Sequence, residues 1–166
     1  MMNPSILYTE DSLFLTFVTF LGSFLIWFMF AGLLFLWVID GRIKKEVVLH
    51  AATACLLSWL IVVMLKSLLP TPRPFVNDGF PPLTFTVPPS MSSFPSSHAA
   101  VAFAIAVSVW YHKKKIGFWF LILAVLVAGG RVLTNVHFYL DVLVGGVIGI
   151  LVAYLIKRLH LFKLLG

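Results

Sequence analysis

The segment IGFWFLILAVLVAGGRVLTNVHFYLDVLVGGVIGILVAYLI, residues 116–156, decides the fold because it joins two long apolar runs through a short polar stretch. The only Lys, Arg, His, Asp or Glu residues in this segment are Arg131, His137 and Asp141. Each run approaches the roughly 20 apolar residues that a helix needs to cross a bilayer. The segment therefore predicts two membrane-spanning helices, with three ionisable side chains between them or at their ends.

The composition of the whole chain agrees with a membrane protein. Of its 166 residues 61% are hydrophobic and 11% are charged, and the mean hydropathy is +1.05. A soluble domain carries about a quarter charged residues. The basic residues are scattered rather than clustered in a patch, so the net charge of +6 does not indicate nucleic-acid binding. We expect one all-α integral membrane domain over residues 1–166.

Five apolar segments can be drawn along the chain, which predicts a polytopic bundle of about five transmembrane helices. The third segment is the shortest and reaches spanning length only if its helix starts near Pro95. The predicted spans are 12–39, 47–69, 95–112, 116–135 and 137–156.

The distribution of basic residues predicts the orientation. With five spans, nine of the twelve Lys and Arg residues fall on one side, which the positive-inside rule makes cytoplasmic. The N-terminus then lies outside and the C-terminus in the cytoplasm. Lys66, Arg73 and Arg131 remain on the external side, where topology does not explain them. The nine cytoplasmic residues are Arg42, Lys44, Lys45, Lys113, Lys114, Lys115, Lys157, Arg158 and Lys163.

The external side also contains the segment 70–95, which holds eight of the nine prolines. Proline at this density argues against a regular helix or a central strand. Loops longer than about 12–15 residues are usually functional or disordered. Because the segment contains four Phe residues as well as Leu83, Val87 and Met91, we expect it to lie on the membrane surface.

The three external cations predict an anion site. Lys66, Arg73 and Arg131 exceed the charge of one aspartate, so an anion with more than one charge is expected, and phosphate is the obvious candidate. The guanidinium of an arginine can donate two parallel hydrogen bonds to two oxygens of a phosphate. If a helix starts at the PSSH sequence of residues 95–98, the backbone amides of Ser96–His98 could bind the same phosphate.

Two histidines on the predicted external side, His98 and His137, suggest a catalytic site. His137 and Asp141 are four residues apart, so on a helix the carboxylate can approach the imidazole and favour its protonated form. By itself this pair is equally compatible with a purely structural contact. His98 would lie beside the anion and could donate a proton to a leaving oxygen. The cytoplasmic-side histidines are expected to be interfacial and without a chemical role: His50, His112 and His160.

A metal site is a competing interpretation of these residues. His98, His137 and Asp141 include two imidazoles and a carboxylate, a set that can bind zinc. Three fixed positive charges nearby would repel a divalent cation, so we predict no metal.

Three motifs in this order resemble a known family. Lys66 and Arg73-Pro74 match K-x6-R-P, residues 95–98 nearly match P-S-G-H, and Arg131, His137 and Asp141 match R-x5-H-x3-D. The pattern resembles the type-2 phosphatidic acid phosphatase superfamily, membrane lipid phosphatases related to vanadium-dependent haloperoxidases. Two positions depart from it, since Ser97 replaces the family glycine and Gly130 replaces the usual serine.

The resemblance implies a role for each site residue. His137 would be the nucleophile that forms a phosphohistidine, Asp141 would orient it, and His98 would be the general acid. The phosphate-binding residues would be Lys66, Arg73, Arg131, Ser96 and Ser97, and no metal or other cofactor would be required.

The resemblance also implies a substrate class, a lipid phosphate or diphosphate hydrolysed at the external leaflet of a bacterial cytoplasmic membrane. Undecaprenyl diphosphate is the first choice, and phosphatidylglycerophosphate, phosphatidate or a lipid A phosphate are alternatives. An anion or phosphate transporter or channel is the alternative function, because it would also need cations near a pore. It would not need His98 or the pair of His137 and Asp141.

Overall fold

Seven helices form the regular structure of residues 12–39 and 42–159, the parts of the chain that the computed structural model describes. No strand occurs within these residues, which confirms the all-α prediction for them. The helices are α1 (Ser12–Ser23), α2 (Leu25–Ile39), α3 (Arg42–Leu68), α4 (Pro74–Asp78), α5 (Ser97–His112), α6 (Lys114–Leu133) and α7 (Tyr139–Arg158).

Three of these helices are long and apolar enough to cross a membrane, namely α3 over Lys45–Leu68, α6 and α7. Helices α1 and α2 give a fourth candidate if they form one bent span. Helix α5 has 16 residues, fewer than the roughly 20 that a straight span needs. The described residues therefore provide three or four candidate spans, whereas the sequence predicts five.

The first predicted span, 12–39, consists of two helices. Helices α1 and α2 meet at Phe24 and are bent by 50°. Beside the bend, the backbone carbonyl of Gly22 accepts a hydrogen bond from Arg131 Nη1 at 2.6 Å. Helices kink where a side chain inserts into the ladder of backbone hydrogen bonds. The apolar composition predicts the length of this segment. It does not predict the bend at Phe24 or the hydrogen bond between Arg131 and Gly22.

Helix α5 lies in the middle of the bundle, against α3, α6 and α7. Two glycines of α7 face it closely. A Cβ added at Gly145 would collide with the carbonyl oxygen of Ser96, and one added at Gly149 would collide with that of Ala100. The two glycines have the GxxxG spacing that allows close helix packing. The contact holds the first turns of α5 and α7 side by side.

The proline-rich segment 70–95 is tied back onto itself and contains one helical turn. Ser93 N donates to the carbonyl oxygen of Thr71 at 3.1 Å, which pairs the two ends of the segment. The sequence argues against a regular helix here, yet α4 forms over five residues. It begins at Pro74. Proline lacks a backbone N–H, but an N–H in the first turn of a helix makes no hydrogen bond within the helix, so proline is tolerated there.

The histidines at the opposite end of the bundle are packed more deeply than predicted. His50 is buried, and its Nδ1 lies 3.0 Å from His112 Nε2 while its Nε2 lies 3.0 Å from the carbonyl oxygen of Ala153. This pair links α3, α5 and α7, a packing contact that the sequence does not predict. His160 lies outside the described residues.

Candidate active site

The six predicted site residues with ionisable side chains lie together at one end of the bundle, where five helices begin or end. The last predicted span starts at residue 137, but α7 starts at Tyr139, so His137 lies in the loop before it. The other five occupy the last turn of α3 (Lys66), the position before α4 (Arg73), the first turn of α5 (His98), the last turn of α6 (Arg131) and the first turn of α7 (Asp141).

His137 is oriented by the carboxylate of Asp141. Its Nδ1 lies 3.3 Å from Asp141 Oδ2, and the same oxygen accepts a hydrogen bond from the backbone N–H of Phe138 at 2.9 Å. Both side chains are buried, with 2% and 3% of their surface exposed. The predicted approach of the carboxylate to the imidazole is confirmed, although the histidine itself precedes the helix.

The second ring nitrogen of His137 faces a cation. Its Nε2 lies 3.2 Å from Arg73 Nη1, and a guanidinium can only donate. Nε2 therefore acts as the acceptor, and Nδ1 carries the proton that is donated to Asp141. This tautomer places a lone pair of the imidazole beside the guanidinium.

His137 is neutral at pH 7. Its pKa is lowered to about 4, mainly by burial and also by the charges of Arg73, Arg131 and Lys66, although the hydrogen bond with Asp141 acts in the opposite direction. The predicted effect of Asp141 is confirmed in direction, because its hydrogen bond raises the pKa of His137, but burial and the three cations outweigh it. A neutral imidazole that carries its lone pair on Nε2 is the form in which histidine acts as a nucleophile.

Arg73 is held by the loop around it. Its Nε donates to the carbonyl oxygen of Pro89 at 2.8 Å, Nη1 donates to that of Val136 at 2.7 Å, and Nη2 donates to that of Ser92 at 3.0 Å. Burial lowers its pKa to about 10, so the guanidinium remains charged at neutral pH. The proline-rich segment thus fixes one cation directly against His137.

Lys66 is anchored to the same segment. It is half-buried, and its Nζ donates to the carbonyl oxygens of Ser92 and Ser93, the latter at 3.1 Å. Carbonyl acceptors leave its positive charge uncompensated. Its charge acts on Arg73, Arg131 and Asp141, so all three cations belong to one electrostatic cluster.

Arg131 is buried, with 6% of its surface exposed, and its Nη1 donates to the carbonyl oxygen of Gly22. Its Nε has no hydrogen-bond partner within residues 12–39 and 42–159. A buried charged donor without a partner is costly, which is typical of a site that receives a ligand.

His98 faces the same cluster. The charges of Arg131, His137, Arg73 and Lys66 all act on it, which places the imidazole among the predicted site residues. The structure therefore brings both histidines and all three cations together at one end of the bundle.

The two serines of the PSSH sequence differ in what they can offer an anion. Ser96 is the N-cap of α5, and its hydroxyl accepts from Ala99 N at 3.5 Å. Its own N–H donates to the backbone carbonyl of Asp141 at 2.9 Å. The amide of Ser96 is therefore not free for phosphate, contrary to the sequence-based expectation. The amides of Ser97 and His98 lie in the first turn of α5, where backbone N–H groups have no partner within the helix.

Ser93 is a site residue that sequence reasoning missed. It is fully buried, and its hydroxyl donates a short hydrogen bond to Asp141 Oδ2. The two residues are 48 positions apart, and no local spacing links them. The only signal in the sequence is its place in the segment 70–95, two residues before the PSSH sequence.

Gly130, where the family pattern has serine, faces helix α1 rather than the cations. A Cβ added there would lie 2.9 Å from the backbone carbonyl carbon of Leu21 and 3.0 Å from Gly22 N. The glycine allows α1 to approach α6, so the departure has a packing reason.

Metal coordination was the competing interpretation of the histidines. Within the described parts of the chain, no group of three His, Cys, Asp or Glu side chains is placed to hold one metal ion. Asp141 Oδ2 already receives three donors, from Ser93, Phe138 and His137.

A family model described as the PAP2 superfamily matches residues 47–164. The chain belongs to this superfamily. The match includes all three motifs, from Lys66 to Asp141, and it confirms the resemblance drawn from them. Helices α1 and α2 lie before the matched region of this PAP2 chain.

Two curated bacterial proteins are similar to this PAP2 chain. Bacitracin transport permease protein BcrC of Bacillus licheniformis is 28% identical over 137 residues, which cover 82% of this chain and 66% of that protein. Putative undecaprenyl-diphosphatase YbjG of Escherichia coli (strain K12) is 34% identical over 133 residues, which cover 77% of this chain and 65% of that protein. The chain thus spans slightly less than two thirds of the length of either relative.

A solved structure shares the arrangement of the helices. The crystal structure of Aquifex aeolicus LpxE matches this PAP2 chain with a TM-score of 0.72 and 31% sequence identity. The match covers 91% of this chain and 89% of that chain, so the likeness reaches beyond the region that the family model covers.

Proposed function

We propose that this PAP2 chain is an integral membrane phosphatase that removes phosphate from a lipid phosphate or diphosphate through a phosphohistidine intermediate. The observation that carries the proposal is the state of His137, a neutral imidazole whose Nδ1–H is donated to Asp141 and whose Nε2 lies 3.2 Å from Arg73. That arrangement has the orientation of an activated nucleophile beside a cation that can bind its target.

In the first step, His137 Nε2 attacks the phosphorus atom of the bound lipid. A bond forms between nitrogen and phosphorus while the bond from phosphorus to the leaving oxygen breaks, and His98 donates a proton to that oxygen. The negative charge of the phosphate offsets the cations around His98 and favours its protonated form before transfer. Water then attacks the phosphohistidine, with His98 as the base, and inorganic phosphate leaves.

The cations supply the electrostatic stabilisation that this reaction needs. Lys66, Arg73 and Arg131 bind the phosphate, together with the backbone amides of Ser97 and His98 at the start of α5. Phosphoryl transfer depends mainly on positioning and on stabilising charge on the equatorial oxygens. Three fixed positive charges perform that task here, so the mechanism uses no metal or other cofactor.

The lipid is a molecule with a multiply charged head group, and undecaprenyl diphosphate is our first choice. Three cations against one carboxylate favour an anion with more than one negative charge. A relative named as a putative undecaprenyl-diphosphatase supports this choice. Phosphatidylglycerophosphate, phosphatidate and a lipid A phosphate have the same chemistry at the reacting group and are the alternatives.

The proposed setting is a bacterial cytoplasmic membrane with the site on the external side. In this proposal the chain forms one domain with five spans, in which α5 counts as a span and the bent pair α1 and α2 counts as another. Basic residues at the opposite end of the bundle then face the cytoplasm, as the positive-inside rule requires.

The test is phosphate release by the full chain purified in detergent, with a chelator present to remove divalent metals. We expect inorganic phosphate from at least one member of a panel of lipid phosphates, and we expect undecaprenyl diphosphate to give the highest kcat/KM. The same preparation of His137→Ala is the control for contaminating phosphatases. No release by the wild-type chain from any member of the panel would overturn the proposal.

A transporter or channel for anions is the second candidate, and one observation favours it, since a similar protein is named a transport permease. Transport would use the cations but would not require a nucleophile. Reconstituted vesicles separate the two functions. A transporter moves labelled phosphate across the bilayer equally well in wild type and His137→Ala, whereas the phosphatase releases phosphate only in wild type and moves none.

A further inference from the structure

Helix α1 contacts the phosphate site through Arg131, although it lies before the region that the family model matches. Arg131 Nη1 donates to the carbonyl oxygen of Gly22 at 2.6 Å, beside the bend between α1 and α2. Arg73 differs, because carbonyls of the proline-rich segment and the loop before α7 hold its guanidinium. The two arginines are thus fixed by different parts of the chain.

The bond to Gly22 selects which donors of Arg131 face the site. A guanidinium presents Nε–H and Nη2–H along one edge, and this edge forms the fork that binds two oxygens of a phosphate. Gly22 takes Nη1, which is not part of that edge. Nε is buried and without a partner within the described residues. The carbonyl therefore satisfies the far side of the guanidinium and leaves the fork available.

Two glycines allow this contact. Gly130 of α6 faces the backbone of Leu21 and Gly22, and an added Cβ would lie 2.9 Å and 3.0 Å from their atoms. Gly22 faces the side chain of Thr134 so closely that a Cβ would collide with its methyl group. A Cβ at Gly130 would press on the backbone of α1, and one at Gly22 would press on Thr134, which follows α6 three residues after Arg131.

The bend also holds the proline-rich segment. Ser23, the last residue of α1, accepts a hydrogen bond on its hydroxyl from Phe85 N at 3.1 Å. Leu83 N donates to the carbonyl oxygen of Thr134 at 3.0 Å. The segment that anchors Arg73 and Lys66 is therefore attached to the same bend that anchors Arg131.

We propose that the bend between α1 and α2 is a positioning element of the active site, in which the Gly22 carbonyl orients Arg131 for phosphate. This inference rests on the proposed function and assigns a role to residues outside the matched family region. Gly22 touches no reacting atom and acts only through Arg131.

The test compares two neighbouring glycines of α6. Gly130→Ala introduces a methyl group that must displace α1, whereas Gly129→Ala introduces one with no atom within 4 Å and is the matched control. Binding of orthovanadate, a phosphate mimic, is measured by calorimetry on the full chain in detergent. This readout needs no turnover.

We expect Gly130→Ala to weaken vanadate binding by about tenfold or more, the size of one lost hydrogen bond to a charged group. Gly129→Ala should stay within about twofold of wild type, as a substitution without new contacts does. In an Arg131→Ala background, Gly130→Ala should have no further effect. Wild-type vanadate affinity in Gly130→Ala, or an equal loss in the Arg131→Ala background, would overturn the inference.

A second pair of variants covers the case in which Gly130→Ala does not fold. Gly22→Ala should weaken vanadate binding, and Gly22→Ala combined with Thr134→Ala should recover most of it, because the colliding methyl group is removed. Unchanged affinity in Gly22→Ala would contradict the inference. If wild type binds vanadate but hydrolyses no lipid, the proposed phosphatase activity fails while the role of the bend is still measured.

Discussion

Replacement of Ser93 by alanine removes a single hydroxyl from the support of His137. Ser93 is fully buried, and its hydroxyl donates to Asp141 Oδ2, the same oxygen that approaches His137 Nδ1. Without that donor, a buried carboxylate keeps one hydrogen bond from Phe138 N and its contact with the imidazole. We therefore expect Ser93→Ala to change catalysis although Ser93 is not a motif residue.

The magnitude follows from the charge of the acceptor. A hydrogen bond to a charged group contributes roughly 1.5–3 kcal/mol. If most of it acts through the orientation of His137, kcat falls by about 10- to 150-fold, since about 1.4 kcal/mol corresponds to one power of ten.

The control is Ser108→Ala, a second fully buried serine whose hydroxyl has no partner within the described residues. Its removal leaves no donor or acceptor unpaired, so kcat should stay within about twofold of wild type. Phosphate release in detergent gives kcat for both variants, and thermal unfolding shows that each is folded. Equal kcat values for Ser93→Ala and Ser108→Ala would refute the assigned role of Ser93.

Three further predictions address the mechanism. His137→Ala should abolish turnover and remove the acid-labile phosphoenzyme seen by rapid quench with labelled substrate, with thermal unfolding unchanged; full turnover would exclude covalent catalysis by this residue. Because burial lowers the pKa of His137 in the free protein to about 4, the neutral nucleophile persists as the pH falls, and kcat/KM, which reports the free protein, should decline only near pH 4. A decline centred near the ordinary histidine pKa of about 6.5 would show that His137 is not shielded as described. Ser97→Gly, which restores the family residue, should keep kcat within about threefold, because Ser97 donates through its backbone amide at the start of α5; a loss of activity would show that its hydroxyl is essential.

The sequence predicts the members of the site because they occupy the ends of helices. Lys66, Arg131 and Asp141 lie at the boundaries of long apolar runs, and the positive-inside rule places those boundaries on one side. The four-residue spacing of His137 and Asp141 is local, so its contact follows from chain geometry even though α7 starts two residues later.

Contacts between distant positions could not be predicted in this way. Ser93 and Asp141 are 48 residues apart, and Arg131 and Gly22 are 109 apart. The first contact depends on the path of a segment without periodicity, and the second on a break inside an apolar run. Neither leaves a pattern in composition or spacing, so both appear only when the helices are packed.

The protonation of His137 shows why spacing alone does not give the net direction of a pKa shift. A carboxylate four residues away raises the pKa of a histidine at a helix surface. In the structure the ring is 2% exposed and surrounded by Arg73, Arg131 and Lys66, and burial dominates. How deeply one side chain is buried depends on how the helices pack, and the sequence shows only how often a residue of that type is buried.

A structure of the chain with bound orthovanadate tests the central claim most directly. The account predicts vanadium bonded to His137 Nε2, with its oxygens accepting hydrogen bonds from Arg73, Arg131 and Lys66 and with His98 facing the apical oxygen. Vanadate bound elsewhere, or guanidinium groups of Arg73 and Arg131 that point away from it, would contradict the account.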